Sequence, residues 1–333
     1  GGQLILLTSH TYLVNHHCRL IREFICQRRI ENIFLLPARF FVNAPGVLPA
    51  VLHLKNCFAK SGDETCLHSD YKIGKGWQKA FRTHQKLLVG NQGLRQAIVP
   101  NSLKKVFAQM TKSFQPLGEL CRVGVGIQES LNREGKVSRF VGDSRESERH
   151  RPVLKGRELA PMRINWEGRY IDYGQHLAYA GDEKVFTGEK LLYQNIRNEK
   201  LKIRLVAAHD RDGFFPKNSL SFIVSNDSRV SLSYLEALLN SILVNAWFSG
   251  HYHSFHITVS QVKTIPVAIP GPELKQKIEE LVDRIKTALD DSANCKELWQ
   301  RLNELISESY FVPGDHSQLL QECDFFLEQA AAL

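Results

Sequence analysis

The spacing of hydrophobic and polar positions changes several times along the chain, and each change marks an element. Residues 2–8 (GQLILLT) form a continuous apolar run, the pattern of a strand buried on both faces of a parallel sheet. Between 12 and 29, Val14, Cys18, Ile21 and Ile25 recur at helical spacing while Arg19, Arg22 and Arg28 fall elsewhere, which predicts a helix. Residues 30–36 and 47–55 read as two further strands, and strand, helix, strand is the order of an α/β sheet with crossover connections. From 57 to 100 the periodicity fades, and the stretch reads as an irregular connector. Residues 102–114 predict a helix with Ser102 as N-cap and Leu103, Val106, Phe107 and Met110 facing a core.

The second half changes rhythm. Residues 153–174, VLKGRELAPMRINWEGRYIDYG, read as a loop feeding a twisted hairpin, with Gly156 and Gly168 as backbone breaks. Arg157, Arg163 and Arg169 there alternate with Trp166, Tyr170 and Tyr173. Such a surface suits phosphates and bases, and the competing reading is an ordinary sheet edge with solvated arginines. Two strands are predicted within 189–208 and another at 219–225, joined by the turn DRDGFFPKN. Residues 232–249 have the stripe Leu235, Leu238, Leu239, Ile242 and Ala246 of a single amphipathic helix. Helices are predicted at 273–290, 296–308 and 316–332. The segment HYHSFH, with His251, His253 and His256, lacks the spaced carboxylate or cysteine that would complete a metal site.

Composition narrows the partners. A net charge of +8 favours a polyanion, either nucleic acid or an acidic membrane face. The seven cysteines are scattered without a CxxC pair, as in reduced intracellular proteins. The apolar runs are too short for a bilayer span, so a cytoplasmic protein without membrane contact is expected. A length of 333 residues leaves room for more than one domain.

One family accounts for these pieces in order. GGQLILLTSH, a helix, then FVNAPGVLPAVLHLK resembles the last third of the catalytic domain in gamma-class adenine-N6 DNA methyltransferases of restriction-modification systems, of the TaqI-like and type IIG-like kind. In that family an aromatic residue in the second string stacks on the flipped-out adenine. The resemblance implies that role for Phe41, with Phe40 as the alternative because Pro45 reads as one extra residue. LGELCRVGVGIQESL, KGREL, the Asp210-to-Ser219 string and LEALLNSILVN resemble the target-recognition domain that follows, and LNELISESYF the family's tail.

The implied organisation is α+β and multi-domain. Residues 1–115 would hold part of an α/β, Rossmann-like methyltransferase sheet plus a connector. A mixed or antiparallel β-rich recognition domain would span 116–271, and a helical segment 272–333. Implied contacts to double-stranded DNA are Lys155, Arg157, Arg163, Trp166, Arg169, Arg197, Lys200, Lys202, Arg211 and Lys217. The family's catalytic tetrapeptide contains a Pro-Pro pair, which this sequence lacks. The lone GxG, in 123–127, falls after the sheet rather than at its first strand. S-adenosylmethionine and the methyl-transfer residues are therefore expected in a catalytic segment upstream of Gly1, and methylation by this family needs no metal. The alternatives are a non-catalytic DNA-specificity subunit docking on a separate catalytic chain, and part of a fused restriction-methylation enzyme.

Overall fold

The computed structural model describes residues 2–14, 18–37, 40–43, 47, 49–89, 99–129, 140–197, 201–252 and 256–331. Its first part is a five-stranded mixed sheet. Strands β1 (Gln3–Ser9), β2 (Arg28–Leu35), β3 (Pro49–Phe58), β4 (Glu64–Lys72) and β5 (Gly76–His84) lie in the order β1-β3-β2-β4-β5. Strand β3 is antiparallel to both β1 and β2, β4 is parallel to β2, and β5 returns antiparallel to β4. Short helices α1 (Thr11–Val14) and α2 (Arg19–Ile25) join β1 to β2. The core here is Ile30, Ile33, Leu35, Ala50, Leu52 and Leu67, closed by Leu13 and Leu88. A row of polar side chains also crosses the sheet. His68 Nε2 donates to Asn32 Oδ1 (3.0 Å), Asn32 Nδ2 to His53 Nδ1 (3.1 Å) and His53 Nε2 to Gln3 Oε1 (3.1 Å), in one consistent set of neutral tautomers.

This sheet departs from the expected pattern in three ways. The leading apolar run is not a buried parallel strand: β1 is an edge strand, antiparallel to β3, and Leu4 to Leu7 are exposed on both faces. The single helix expected over 12–29 ends at Ile25, because Arg28 already pairs with Phe58 in the sheet. The expected connector holds β4 and β5. Their alternation was hidden because β4 buries the small polar residues Thr65 and Ser69 beside Leu67, and Thr65 Oγ1 donates to the Ile30 carbonyl at 3.0 Å.

The second part builds two four-stranded sheets. Strands β6 (Cys121–Val125), β10 (Lys190–Gln194), β11 (Ala207–Asp210) and β13 (Leu220–Ser225) form one, antiparallel in the order β11-β10-β13-β6. Strands β7 (Val141–Gly142), β8 (His150–Leu154), β9 (Tyr170–Asp172) and β12 (Phe215–Pro216) form the other, in the order β12-β8-β9-β7, with β12 parallel to β8. One core lies between them, around Val153, Ile171, Phe186, Leu192, Phe215 and Phe222. The opposite face of the first sheet, through Val123, Leu191, Tyr193 and Ile223, packs on helices α3 (Asn101–Ser113), α4 (Leu232–Asn240), α5 (Ile242–His251), α6 (Pro272–Asp290), α7 (Lys296–Tyr310) and α8 (Ser317–Ala331). Burial on both faces explains why β10, KLLYQ, is apolar without alternation.

Two expected helices are redrawn. The N-cap of α3 is Pro100, not Ser102. The helix expected over 232–249 is broken at Ser241, whose extended backbone (φ −73°, ψ 151°) ends α4 while its hydroxyl accepts the Val244 N–H at 3.3 Å. Asn303 Oδ1 accepts the freed Ile242 N–H at 2.7 Å. The break aims two asparagines at the chain entering β11. Asn245 Oδ1 accepts the N–H groups of Arg204 (2.9 Å) and Leu205 (2.7 Å), and Asn240 bonds both the N–H and the carbonyl of Ala207 (3.1 and 2.8 Å).

Charges are buried at the same junction. Lys190 and Asp210, register partners on β10 and β11, pair at 2.6 Å with both side chains inaccessible. Burial pushes the lysine down and the aspartate up, while Asp210 also accepts the N–H groups of Asp212, Gly213 and Phe214. Gly213, at φ +74°, makes that turn possible. Glu236 on α4 pairs with Lys286 on α6 at 2.6 Å and accepts the His209 N–H at 2.7 Å.

Two expectations follow. Asn245→Ala strands two buried N–H donors and should lower unfolding free energy by roughly 2 to 4 kcal/mol in urea titration. Burial, then Lys286 and Arg211, hold His209 at about 4 against its ordinary 6.5. Between those values the unfolded chain binds the extra proton, so stability falls as pH drops from 7 to 4, by about 3 kcal/mol for this group. His209→Leu should flatten that part of the stability profile.

Candidate nucleic-acid interface

The loop leaving β8 is shaped by one inward carboxylate. Glu158, buried, accepts the N–H of Lys155 on one oxygen (2.7 Å) and of Glu167 on the other (2.8 Å), and its carbonyl accepts the Asn165 N–H (2.8 Å). Ser219 Oγ accepts the Gly156 N–H at 2.8 Å, and Gln194 Nε2 donates to the carbonyls of Gly156 (2.6 Å) and Leu159 (2.8 Å). The backbone is thus held from three sides, with Arg157 exposed and Lys155 half-buried.

Around Lys155 the positive charges gather. Burial and then the nearby Arg169, Lys217 and Arg157 lower its ammonium from the ordinary lysine range. Arg157 pairs with Glu167, and that hydrogen bond raises the guanidinium and lowers the carboxylate. Arg169 reaches Glu167 at 3.5 Å and Asp143 at 4.0 Å, and Lys217 pairs with Glu129. Trp166 stands beside them, its ring against Tyr170 (5.4 Å) and Phe214 (5.3 Å), and its Nε1 donates to the Arg169 carbonyl at 3.2 Å. Lys155, Arg157, Trp166 and Arg169 therefore share one surface of cations with an aromatic plate, while Lys217 is mostly buried in its pair with Glu129. Arg211 is exposed on the turn that ends at Phe214.

Other expected contacts are engaged elsewhere. Arg163 donates to the Leu289 carbonyl at 3.1 Å, tying the hairpin to α6. Arg197 is pushed down by burial and donates to the Ile203 carbonyl (2.7 Å) and Gln194 Oε1 (2.6 Å), bracing the glutamine that holds the loop. Lys202 bridges Asp324 (2.7 Å) and Glu328 (3.0 Å) on α8. Lys200 lies outside the described residues, as do Pro45 and His253. His251 donates from Nδ1 to the Trp247 carbonyl (2.7 Å) and stacks on that indole at 4.1 Å. Glu158, Gln194, Ser219 and the flanking Glu129, Asp143 and Glu167 were not anticipated; the three-residue spacing of Lys155 and Glu158 was the available signal.

The lone GxG is not a cofactor cradle. A Cβ on Gly124 would meet the Phe222 ring at 2.4 Å, and one on Gly126 the carbonyl oxygens of Pro216 and Lys217 at 2.4 Å, so both glycines serve close packing. In the first sheet Phe40 and Phe41 follow β2, are 44% and 37% exposed, and meet edge to face at 5.4 Å. Phe40 touches Tyr71 at 6.4 Å, Tyr71 touches Trp77 at 4.9 Å, and Trp77 rests on Phe34 at 5.3 Å. Among the described residues no helix is long and apolar enough to cross a membrane.

No curated protein sequence matches the chain significantly. Among solved structures, the type IIL restriction-modification enzyme MmeI, determined in complex with DNA, aligns with 99% of this chain and 50% of its own, at 12% identity and TM-score 0.65. The type IIG restriction endonuclease BpuSI aligns with 99% and 47%, at 11% identity and TM-score 0.49. The HsdS subunit from Thermoanaerobacter tengcongensis aligns with 65% and 52%, at 14% identity and TM-score 0.34. The chain spans about half the length of these proteins. Residues 151–267, which carry the cation cluster, match the family model of the TaqI-like C-terminal specificity domain. That segment is similar to the specificity domain of restriction-modification enzymes, and the chain as a whole shares its fold with MmeI.

Proposed function

We propose that this chain is the DNA-reading part of a site-specific adenine-N6 DNA methyltransferase of a restriction-modification system. The observation that carries the reading is the cluster of Lys155, Arg157 and Arg169 beside Trp166, inside the span that matches a specificity domain. Cations held on a rigid loop suit phosphates, and a guanidinium at that surface suits a guanine edge. Their present carboxylate partners, Glu167 and Asp143, would give way to phosphate on binding. Arg163 and Arg197 are bonded to backbone carbonyls and Lys202 to Asp324 and Glu328, so the reading does not rest on them.

Adenine chemistry would need a base swung out of the duplex, and Phe41, or Phe40 beside it, offers the face to receive it, with stacking worth roughly 1 to 3 kcal/mol. The GxG segment offers no cradle for S-adenosylmethionine, since its glycines are filled by Phe222 and by backbone. We assign the methyl donor to a catalytic segment of the same protein, and no step of methyl transfer is derived from the residues here. The exposed apolar side chains of β1 and of α2 (Leu20, Ile21, Phe24) supply a surface that such a segment would cover. With DNA as partner, the place of action is the cytoplasm of a prokaryotic cell.

Expression of the intact reading frame in a bacterial host without adenine methylation, followed by sequencing of modified bases, should reveal N6-methyladenine at one motif. Phe41→Ala should lower that methylation at least tenfold. Unmodified host DNA, together with specific duplex binding by the purified protein, would instead assign the chain to binding without chemistry. On the identified motif, Arg157→Ala or Arg169→Ala should cost roughly 1 to 3 kcal/mol and relax one base position where the arginine reads a base. A phosphate contact would instead weaken all sequences alike and reduce the salt slope by about one unit.

A further inference from the structure

The tip of the β4–β5 hairpin has no part in the cation cluster described above, yet its surface is unusual. Ile73 is 93% exposed, the most exposed large hydrophobic side chain among the described residues. It sits in the sequence Lys72-Ile73-Gly74-Lys75-Gly76, where the Lys75 N–H closes the turn on the Lys72 carbonyl at 3.0 Å. Lys72 and Lys75 are exposed. The ion pairs of this sheet join Arg19 to Glu23, Arg29 to Glu31 and Asp63, and Lys55 to Glu31; neither tip lysine takes part among the described residues. An exposed isoleucine between two lysines that form no ion pair among the described residues is poorly matched to water and well matched to a polyanion with an apolar interior.

The tip is also coupled to the adenine-stacking candidates. Tyr71 and Trp77 are register partners at the base of the turn, with rings 4.9 Å apart, and Phe40 meets Tyr71 at 6.4 Å. Ile73 is two residues beyond Tyr71, so its Cα lies within about 7 Å of that of Tyr71 at full extension. Base pairs stack about 3.4 Å apart, so a duplex delivering a base to Phe40 or Phe41 would pass the tip within a few base pairs.

We propose that the β4–β5 hairpin is a second DNA-contacting arm, in which Lys72 and Lys75 hold phosphates and Ile73 wedges into the base stack beside the departing adenine. The inference rests on the proposed function, because it takes duplex DNA as the ligand. Aliphatic side chains inserted between base steps unstack and kink the duplex, and the flanking cations keep such a wedge seated. The arm would therefore act on base extrusion, while the cluster around Lys155 acts on sequence.

The test uses the intact protein and a duplex bearing its methylated motif, with 2-aminopurine at the target adenine to report extrusion. Lys72→Gln with Lys75→Gln should weaken binding about tenfold or more at 200 mM salt and reduce the salt slope by about two units, because two phosphates no longer meet a cation. Ile73→Ala should leave the salt slope unchanged but cut the 2-aminopurine signal at saturating protein, and turnover, about fivefold. Ile73→Met, which keeps an apolar tip, should restore both. Wild-type behaviour of both the lysine pair and Ile73→Ala, while Arg157→Ala still weakens binding, overturns the arm and leaves the proposed function standing. A lysine effect with Ile73→Ala silent overturns the wedge. Failure of the wild-type protein to bind any duplex overturns both readings.

Discussion

The recognition part depends on how a buried, irregular stretch of backbone is satisfied. Residues 204–206 lead into β11 outside any strand, and all three are buried. Buried peptide groups without partners would oppose folding. Asn245 and Asn240 supply what a neighbouring strand would: the first accepts two N–H groups, and the second bonds both backbone groups of Ala207. They stand on either side of the break at Ser241. The break in turn needs Asn303 on α7 to receive the Ile242 N–H. Helical layer and sheet are thus joined by specific amides as well as by apolar packing, which fixes their alignment more narrowly than nonpolar contact alone.

That alignment is transmitted to the candidate interface. Arg197, beyond the end of β10, holds Gln194, and Gln194 holds the loop of Lys155 to Leu159 from beneath. Glu158 closes the same loop from inside. The cations at the surface therefore stand on backbone that is hydrogen-bonded to strands, so less conformational freedom is lost when a ligand arrives. The buried Lys190–Asp210 pair plays a similar part at the turn through Gly213 to Phe214, whose ring supports Trp166. An ion pair so enclosed contributes little net stability, but its geometry defines the turn.

Much of this was legible as element type and little of it as partnership. Helices α6 to α8 and strands β10 and β13 follow from periodicity, since each packs a regular stripe or an unbroken apolar run against a core. KGREL, the Asp210 turn and the asparagine-bearing string LEALLNSILVN stood out in the sequence. The structure supplies their physics: an inward carboxylate, a capped turn at positive φ, and two backbone clamps. The sequence did not reveal what each of these cations meets. Arg163, Arg197 and Lys202 look like Arg157 and Arg169 in one dimension, and only the proximity of Leu289, Gln194 and α8 separates them. The β4–β5 hairpin was missed because Thr65 and Ser69 occupy inward positions, where an apolar residue would have marked the strand.

The two parts also differ in how complete they are physically. The two four-stranded sheets share a core and one of them is backed by helices, whereas β1 presents Leu4, Ile5, Leu6 and Leu7 to solvent, and Leu20 and Phe24 on α2 are exposed as well. An edge strand with apolar side chains on both faces gains little from its own ladder and invites another surface. The loop with Phe40 and Phe41 extends from this less enclosed sheet, yet any stacking role requires it to be held in place. The chain of rings from Phe34 through Trp77 and Tyr71 to Phe40 offers that support, with each contact between 4.9 and 6.4 Å. Two of its four members, Trp77 and Tyr71, belong to the hairpin. A displacement of the hairpin tip is therefore coupled to the phenylalanine loop through packed rings, and the position of Phe40 depends on strands that read as a connector in the sequence.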